Sequence, residues 1–250
     1  MKYKALLIDF DGTTIKNGQY ARPTPRVINA IQKAKEKLLV CGATGRPMST
    51  AKWIFDDLHL ISPSIISAGT KIVNPTSGDI LWQIMMKKDT VAAVLKVAEK
   101  YPFEIITESQ LTTFPWQKKR LLQDESVIYI VEVPLENSKK IISELAQIPN
   151  TALHLVKGYG LNHLDIHMTD SNGTKEKAIE KLCEIIHVTK QEIIGVGDSF
   201  NDLPLFNSVG LKVAMGNAVD ELKEKADYIT GHVNNDGLAQ AIEKFILNPS

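Results

Sequence analysis

Four short segments of this 250-residue chain concentrate groups able to do chemistry. They are Asp9-Phe10-Asp11-Gly12-Thr13, Thr44-Gly45-Arg46, Lys175, and Gly197-Asp198-Ser199-Phe200-Asn201-Asp202. A carboxylate can attack an electrophile while a neighbouring carboxylate moves a proton. Carboxylates gathered in one place repel one another, so such a group calls for a cation. Their oxygens are hard ligands and suit Mg2+. A lysine and a threonine hydroxyl would serve an anionic group in the same place. Each segment also has a plainer reading when taken alone. Asp-x-Asp can be a loop of solvated charges, Thr-Gly-Arg a turn, and Lys175 a helix surface residue. Gly-Asp-x-x-Asn-Asp can cap the helix after it.

The elements around these segments decide whether they can meet. Residues 3–8 form a short apolar run that ends in Asp9-Phe10-Asp11-Gly12. A buried strand ending in polar residues is how parallel α/β sheets present chemistry. Val27, Ile28, Ile31 and Ala34 have helical spacing, with Pro23 near the start. Residues 38–41 read as a second strand leading into Thr44-Gly45-Arg46, residues 48–58 as a helix, and residues 65–66 as a third strand. This β-α-β-α-β rhythm implies a parallel sheet with right-handed crossovers. The pattern changes near Leu81. Helices over 90–100 and 137–146 then mix with strands over 103–106, 127–133, 152–156 and 161–168. The last two strands are separated by the turn residues Gly158-Tyr159-Gly160. The parallel pattern resumes with a helix over 174–186, a strand over 192–196 that ends at Gly197-Asp198, and a short helix near 203–207. Short strands at 211–214 and 228–229 and a helix over 237–247 complete it. The expected architecture is α/β. A Rossmann-like, doubly wound parallel core (1–80 and 168–250) carries an inserted α+β domain (81–167).

Bulk properties narrow the function classes. Lys plus Arg and Asp plus Glu both number 29, so a neutral chain gives no electrostatic case for nucleic acid or an anionic membrane. No apolar run is long enough to span a bilayer, and the N-terminus lacks the pattern of a signal peptide. Cys41 and Cys183 fall in apolar patterns, and the expectation is two reduced, buried thiols in a cytoplasmic protein.

In order and spacing, the four segments together resemble the haloacid dehalogenase-like superfamily, over nearly the whole expected core. The resemblance implies that the motifs lie at the C-terminal edge of the sheet and converge on one phosphate. It implies Asp9 as nucleophile, forming an aspartyl-phosphate. Asp11 would protonate the leaving oxygen and later deprotonate water, and its backbone carbonyl would bind Mg2+. Asp198 would be a direct metal ligand and Asp202 an outer one through water. Thr44 and Gly45 would hold phosphoryl oxygens, and Lys175 would stabilise the pentacoordinate state. Asn201 would orient Lys175 or the phosphate. Arg46 either reaches substrate or forms a structural ion pair. The second aspartate, Asp11, is absent from the haloalkanoic dehalogenases of the superfamily and fits a phosphatase.

The place of the insert resembles the Cof-type phosphatases, with a cap of the second class. The tail segments Val213-Ala214-Met215-Gly216-Asn217-Ala218 and Asn235-Asp236-Gly237-Leu238 resemble their ending. Asn217 either approaches the site or caps the next helix. Two departures stand out. Ser67-Ala68-Gly69-Thr70 replaces the usual Asn-Gly-Ala, and Thr14 replaces an apolar residue, a change expected to matter little. Trp116, Lys118, Lys119 and Arg120 form a basic-aromatic cluster, which is either a solvated face or a contact for an anionic substrate. None of the six histidines has a trusted metal-ligand spacing. The implied partner is a small phosphorylated metabolite, with no nucleic acid or membrane, on a monomer or homodimer. A phosphomutase of the phosphomannomutase type and a non-catalytic phosphate-binding module are the competing readings.

Overall fold

A computed structural model describes residues 2–18, 20–118 and 120–249. The first elements are β1 (Ala5–Ile8), α1 (Pro25–Lys35), β2 (Leu39–Gly42), α2 (Met48–Asp57), β3 (Ser64–Ile66), β4 (Lys71–Val73) and β5 (Ile80–Gln83). Then come α3 (Lys88–Ala98), β6 (Glu104–Ser109), β7 (Thr112–Pro115), β8 (Val127–Pro134), α4 (Leu135–Leu145), β9 (Thr151–Lys157) and β10 (His163–Asp170). The chain closes with α5 (Lys175–Ile186), β11 (Ile193–Gly197), α6 (Leu203–Phe206), β12 (Leu211–Ala214), α7 (Asp220–Glu224), β13 (Tyr228–Ile229) and α8 (Gly237–Ile242).

The parallel sheet runs in the order β13-β12-β11-β1-β2. Every residue of β1 is buried, as a strand covered on both faces requires. Ile8 pairs with Val196 on one side and Gly42 on the other. Parallel strands in register release their next residues at one edge. Asp9, Asp198 and Thr44 therefore leave the sheet side by side. Residues 65–66, expected in this sheet, join it only through a bridge from Ala43 to Ile65. β3 instead forms an antiparallel sheet with β4 and β5. β4 and β5 carried no legible signal, being three and four residues long.

A third sheet, ordered β7-β6-β8-β10-β9, is antiparallel. Val94, Leu95 and Ile141 of its two helices share a buried cluster with Ile128, Ile130 and Ile166. Trp82 still packs on the larger cluster while Met86 belongs to the smaller one, so the chain changes core between them rather than at residue 81. Strand alternation turns Glu108, Tyr129 and His167 to the other face of this sheet, toward the parallel sheet.

A buried polar network there joins this sheet to β4 and the turn after β3. Lys71 and Glu108 are both fully buried and pair at 2.8 Å. Glu108 Oε1 also accepts from Ser67 Oγ at 2.7 Å, and Oε2 accepts from the Tyr129 hydroxyl. Lys71 donates in addition to Ser126 Oγ, whose hydroxyl donates to the Glu108 carbonyl at 2.9 Å. Burial lowers the Lys71 pKa, and Glu108 acts against that. Removing one member of a buried pair leaves an uncompensated charge. Lys71→Met is therefore expected to destabilise the fold by about 3–5 kcal/mol in urea unfolding. Adding Glu108→Gln to that variant recovers a large part of the loss, because the stranded charge goes.

Candidate active site

Asp9 follows β1 directly and is 3% exposed. Its chain turns at once. The Thr14 hydroxyl donates to the Asp9 carbonyl at 2.6 Å, so Thr14, expected to matter little, fixes the loop that carries Asp9 and Asp11. Gly12 has φ +76, and a Cβ there would stand 2.1 Å from Asp198 Oδ2. Glycine is thus required for Asp198 to approach this loop.

Lys175 opens α5, after the N-cap Thr174. Gly69, with φ +93, lets the Ser67-Ala68-Gly69-Thr70 segment lie against the start of this helix. A Cβ at Gly69 would come within 2.3 Å of the Lys175 backbone nitrogen. Buried Lys175 Nζ bridges Asp9 Oδ1 at 3.0 Å and Asp202 Oδ1 at 2.7 Å. The other Asp202 oxygen accepts from the backbone N–H of Asp198 at 3.0 Å and of Ser199 at 3.1 Å. Asp202 thus ties the β11 loop to the lysine, a role the sequence did not give it. Asp198 accepts from the Thr13 hydroxyl at 3.2 Å and from Asn217 Nδ2 at 3.3 Å. Asn217 also donates to the Gly12 carbonyl and accepts from the Val233 N–H. It braces the site; α7 has Val219 at its N-cap instead.

One ligand oxygen each from Asp9, Asp198 and Asp202 lies within 4.8 Å of the others. Burial, then the Asp202 charge, pushes the Asp9 pKa up to about 7 despite Lys175. Burial, then Asp202 and Asp9, pushes Asp198 up to about 8. Burial opposes the charge on Lys175, but Asp202 and Asp9 outweigh it and hold its pKa above the ordinary lysine value. One ammonium among three carboxylates leaves an excess of negative charge. An all-carboxylate donor set of this kind fits a hard divalent cation.

The site opens into a cavity of about 470 Å3, also lined by Asp11, Thr44, Gly45, Arg46 and Asn201. Thr44 Oγ1 accepts from the Arg46 N–H at 3.1 Å, which leaves its own O–H to donate. Arg46 holds both oxygens of Asp11, at 2.7 and 2.6 Å, and donates to the Thr50 and Gly18 carbonyls. Of its two readings, the ion pair is the one observed. Asn201 lines the cavity, while Lys175 is oriented by Asp9 and Asp202.

A family model of haloacid dehalogenase-like hydrolases matches residues 6–126 and 112–242. The chain belongs to this family. A 5-amino-6-(5-phospho-D-ribitylamino)uracil phosphatase of Bacillus subtilis is 28% identical over 260 residues, covering 98% of this chain and 96% of that one. A phosphoglycolate phosphatase of Archaeoglobus fulgidus is 25% identical over 246 residues, covering 97% and 96%. Among solved structures, a haloacid dehalogenase-like hydrolase from B. subtilis superposes with a TM-score of 0.83 at 19% identity, covering 97% and 99%. This protein is a phosphatase of that family, of the Cof type, acting on phosphorylated small molecules.

Other expected residues of the hydrolase lie elsewhere. Trp116 donates to Glu99 at 2.7 Å, Lys118 stands 3.8 Å from Glu99, and Arg120 pairs with Glu125 at 3.2 Å. None of the three lines the cavity. Lys119 lies outside the described residues. His167 does line it, and sequence offered no signal beyond its place on a strand.

The raised carboxylate pKa values make a prediction for the metal-free hydrolase. Asp9 and Asp198 bind protons more tightly folded than unfolded, so their contribution is complete below about pH 4 and is lost as pH rises to about 8. In the presence of a chelator, this pair should therefore pull the thermal unfolding midpoint down between those limits. Asp9→Asn with Asp198→Asn should flatten that part of the profile.

Proposed function

We propose that this protein is a Mg2+-dependent phosphomonoester hydrolase that works through an aspartyl-phosphate on Asp9, with residues 81–167 as a cap that selects the substrate. The observation that carries this reading is Lys175, which bridges Asp9 and Asp202 beside Asp198, with Asp9 and Asp198 themselves lining the cavity. Asp9, Asp198 and the backbone carbonyl of Asp11 would hold the cation. Asp202 anchors Lys175 and joins the outer shell. When bound, Mg2+ offsets the charge of the carboxylates and the phosphate and keeps the phosphoryl group in line.

An Asp9 carboxylate oxygen attacks phosphorus, the phosphorus–oxygen bond to the leaving group breaks, and that oxygen takes the proton of Asp11. Water then attacks the same phosphorus, gives a proton to Asp11, and inorganic phosphate leaves with Asp9 free again. Lys175, the Thr44 hydroxyl and the Gly45 backbone are placed to stabilise the added negative charge. Asp11 accepts from Arg46 with both oxygens at rest, so it must leave that pair and take a proton from solvent before it delivers one to the leaving oxygen.

Asp9→Asn is expected to lower phosphate release by about 1000-fold or more without changing the far-ultraviolet circular dichroism. Release at the wild-type rate removes the nucleophile assignment. Exhaustive chelation should abolish release and Mg2+ should restore it. Mg2+ at 100 times its Kd should also stabilise the fold by about 2.7 kcal/mol, read by thermal unfolding.

A further inference from the structure

The cap side of the cavity contains one buried polar atom that no described residue satisfies. His167 is 6% exposed and its Nδ1 has no hydrogen-bond partner among the described residues. From the cap, the ring reaches over the Thr44-Gly45-Arg46 segment. Its Cε1 and Nδ1 are 3.8 and 3.9 Å from the place a Cβ on Gly45 would occupy. It is held edge-on by Tyr129, with ring centroids 4.7 Å apart. Tyr129 is in turn fixed by Glu108 of the buried network. Burial, followed by His154, pushes the His167 pKa down to about 3, so the imidazole is neutral at physiological pH. A neutral imidazole offers one donor and one acceptor, and a buried polar atom without a partner needs an explanation. Nδ1 itself has almost no accessible surface, so a small turn of the ring toward the cavity lets a ligand hydroxyl supply the missing bond.

The charge on the same wall is the second observation. Glu104, Glu132 and Asp165 face the cavity from the cap, against Lys157 alone. Glu132 accepts from the Tyr159 and Gly160 N–H groups, and Asp165 accepts from the Glu132 N–H, so these carboxylates are fixed in place. On the core side Arg46 is already paired with Asp11. A second anionic group on a substrate would meet this acidic wall, and juxtaposed like charges cost several kcal/mol.

We propose that His167 is a substrate contact that hydrogen-bonds a hydroxyl of the leaving group. With the carboxylates of Glu104, Glu132 and Asp165, it selects a phosphomonoester of an uncharged polyol over one that bears a carboxylate. This selectivity rests on the phosphatase reading of the same cavity. It separates two chemistries found among the relatives, whose names specify a ribitylamino uracil phosphate and phosphoglycolate.

The test measures kcat/KM of the full chain with Mg2+ on sorbitol 6-phosphate, 2-phosphoglycolate and acetyl phosphate. The polyol phosphate should exceed phosphoglycolate by about 100-fold. His167→Leu should lower the polyol value by about tenfold, mainly through KM, because one hydrogen bond is lost. His167→Gln, which keeps a donor and an acceptor, should recover part of it. Asp165→Asn should raise the phosphoglycolate value. Equal rates on the polyol phosphate and phosphoglycolate overturn the proposal. So does a fall of the same factor on all three substrates in His167→Leu, which marks a purely structural role. No release from acetyl phosphate by the wild type overturns the phosphatase reading itself, and the selectivity with it. Release from acetyl phosphate without the preference overturns the selectivity alone.

Discussion

Three buried carboxylates whose ligand oxygens lie within 4.8 Å of one another repel, and Lys175 is the group that lets them stand together. Much of the surrounding structure serves that arrangement. The parallel register of β1 with β11 sets Asp9 beside Asp198. Gly12 allows the Asp198 carboxylate to approach, and Gly69 allows the N-terminus of α5 to close on the loop after β3. Asp202 accepts from Lys175 with one oxygen and fixes the β11 loop with the other. The lysine meets carboxylates from both halves of the core, one after β1 and one after β11. Burial, and after it the incomplete charge balance, is why Asp9 and Asp198 hold their protons so far above the ordinary carboxylate range.

The second constraint lies between the sheets. Expensive buried charges persist in folded proteins when paired and hydrogen-bonded. Lys71, Glu108, Ser67, Ser126 and Tyr129 meet that condition together, across the boundary between parallel core and inserted sheet. The network opposes rotation of the inserted sheet against the core, since opening would expose both charges to a new environment. The same network orients Tyr129, against which His167 packs. Local order in the cavity wall therefore depends on contacts with the core, a coupling that two independent domains would lack. Ser67, in the segment that replaces the usual Asn-Gly-Ala, belongs to this joint.

Sequence was most informative where chemistry and periodicity coincide. Asp9, Asp11, Thr44, Lys175, Asp198 and Asp202 are legible because each stands at a strand end or helix start with a recognisable neighbour pattern. The long helices and the central strands show apolar spacing that survives any register. The short strands β4, β5 and β7 do not, because three or four residues cannot establish a period. The third strand was legible as a strand but not as to its partner, since apolar run and pairing are separate questions. Thr14 looked like a neutral replacement until its hydroxyl was found on the Asp9 carbonyl.

By itself the sequence determined the fold class and the identity of the acidic and basic groups. These follow from residue type, from order along the chain and from hydrophobic spacing, all of which are properties of the chain in one dimension. Tertiary structure alone decided which charge meets which. Arg46 could have faced substrate or Asp11, and Asn217 could have capped a helix or braced Gly12. The choice depended on distances between residues as far apart as 35 and 205 positions. His167 is the clearest case. A histidine on a strand says nothing about its neighbours, and only the packing of one sheet over another leaves its ring nitrogen buried, without a partner among the described residues, and close to Gly45.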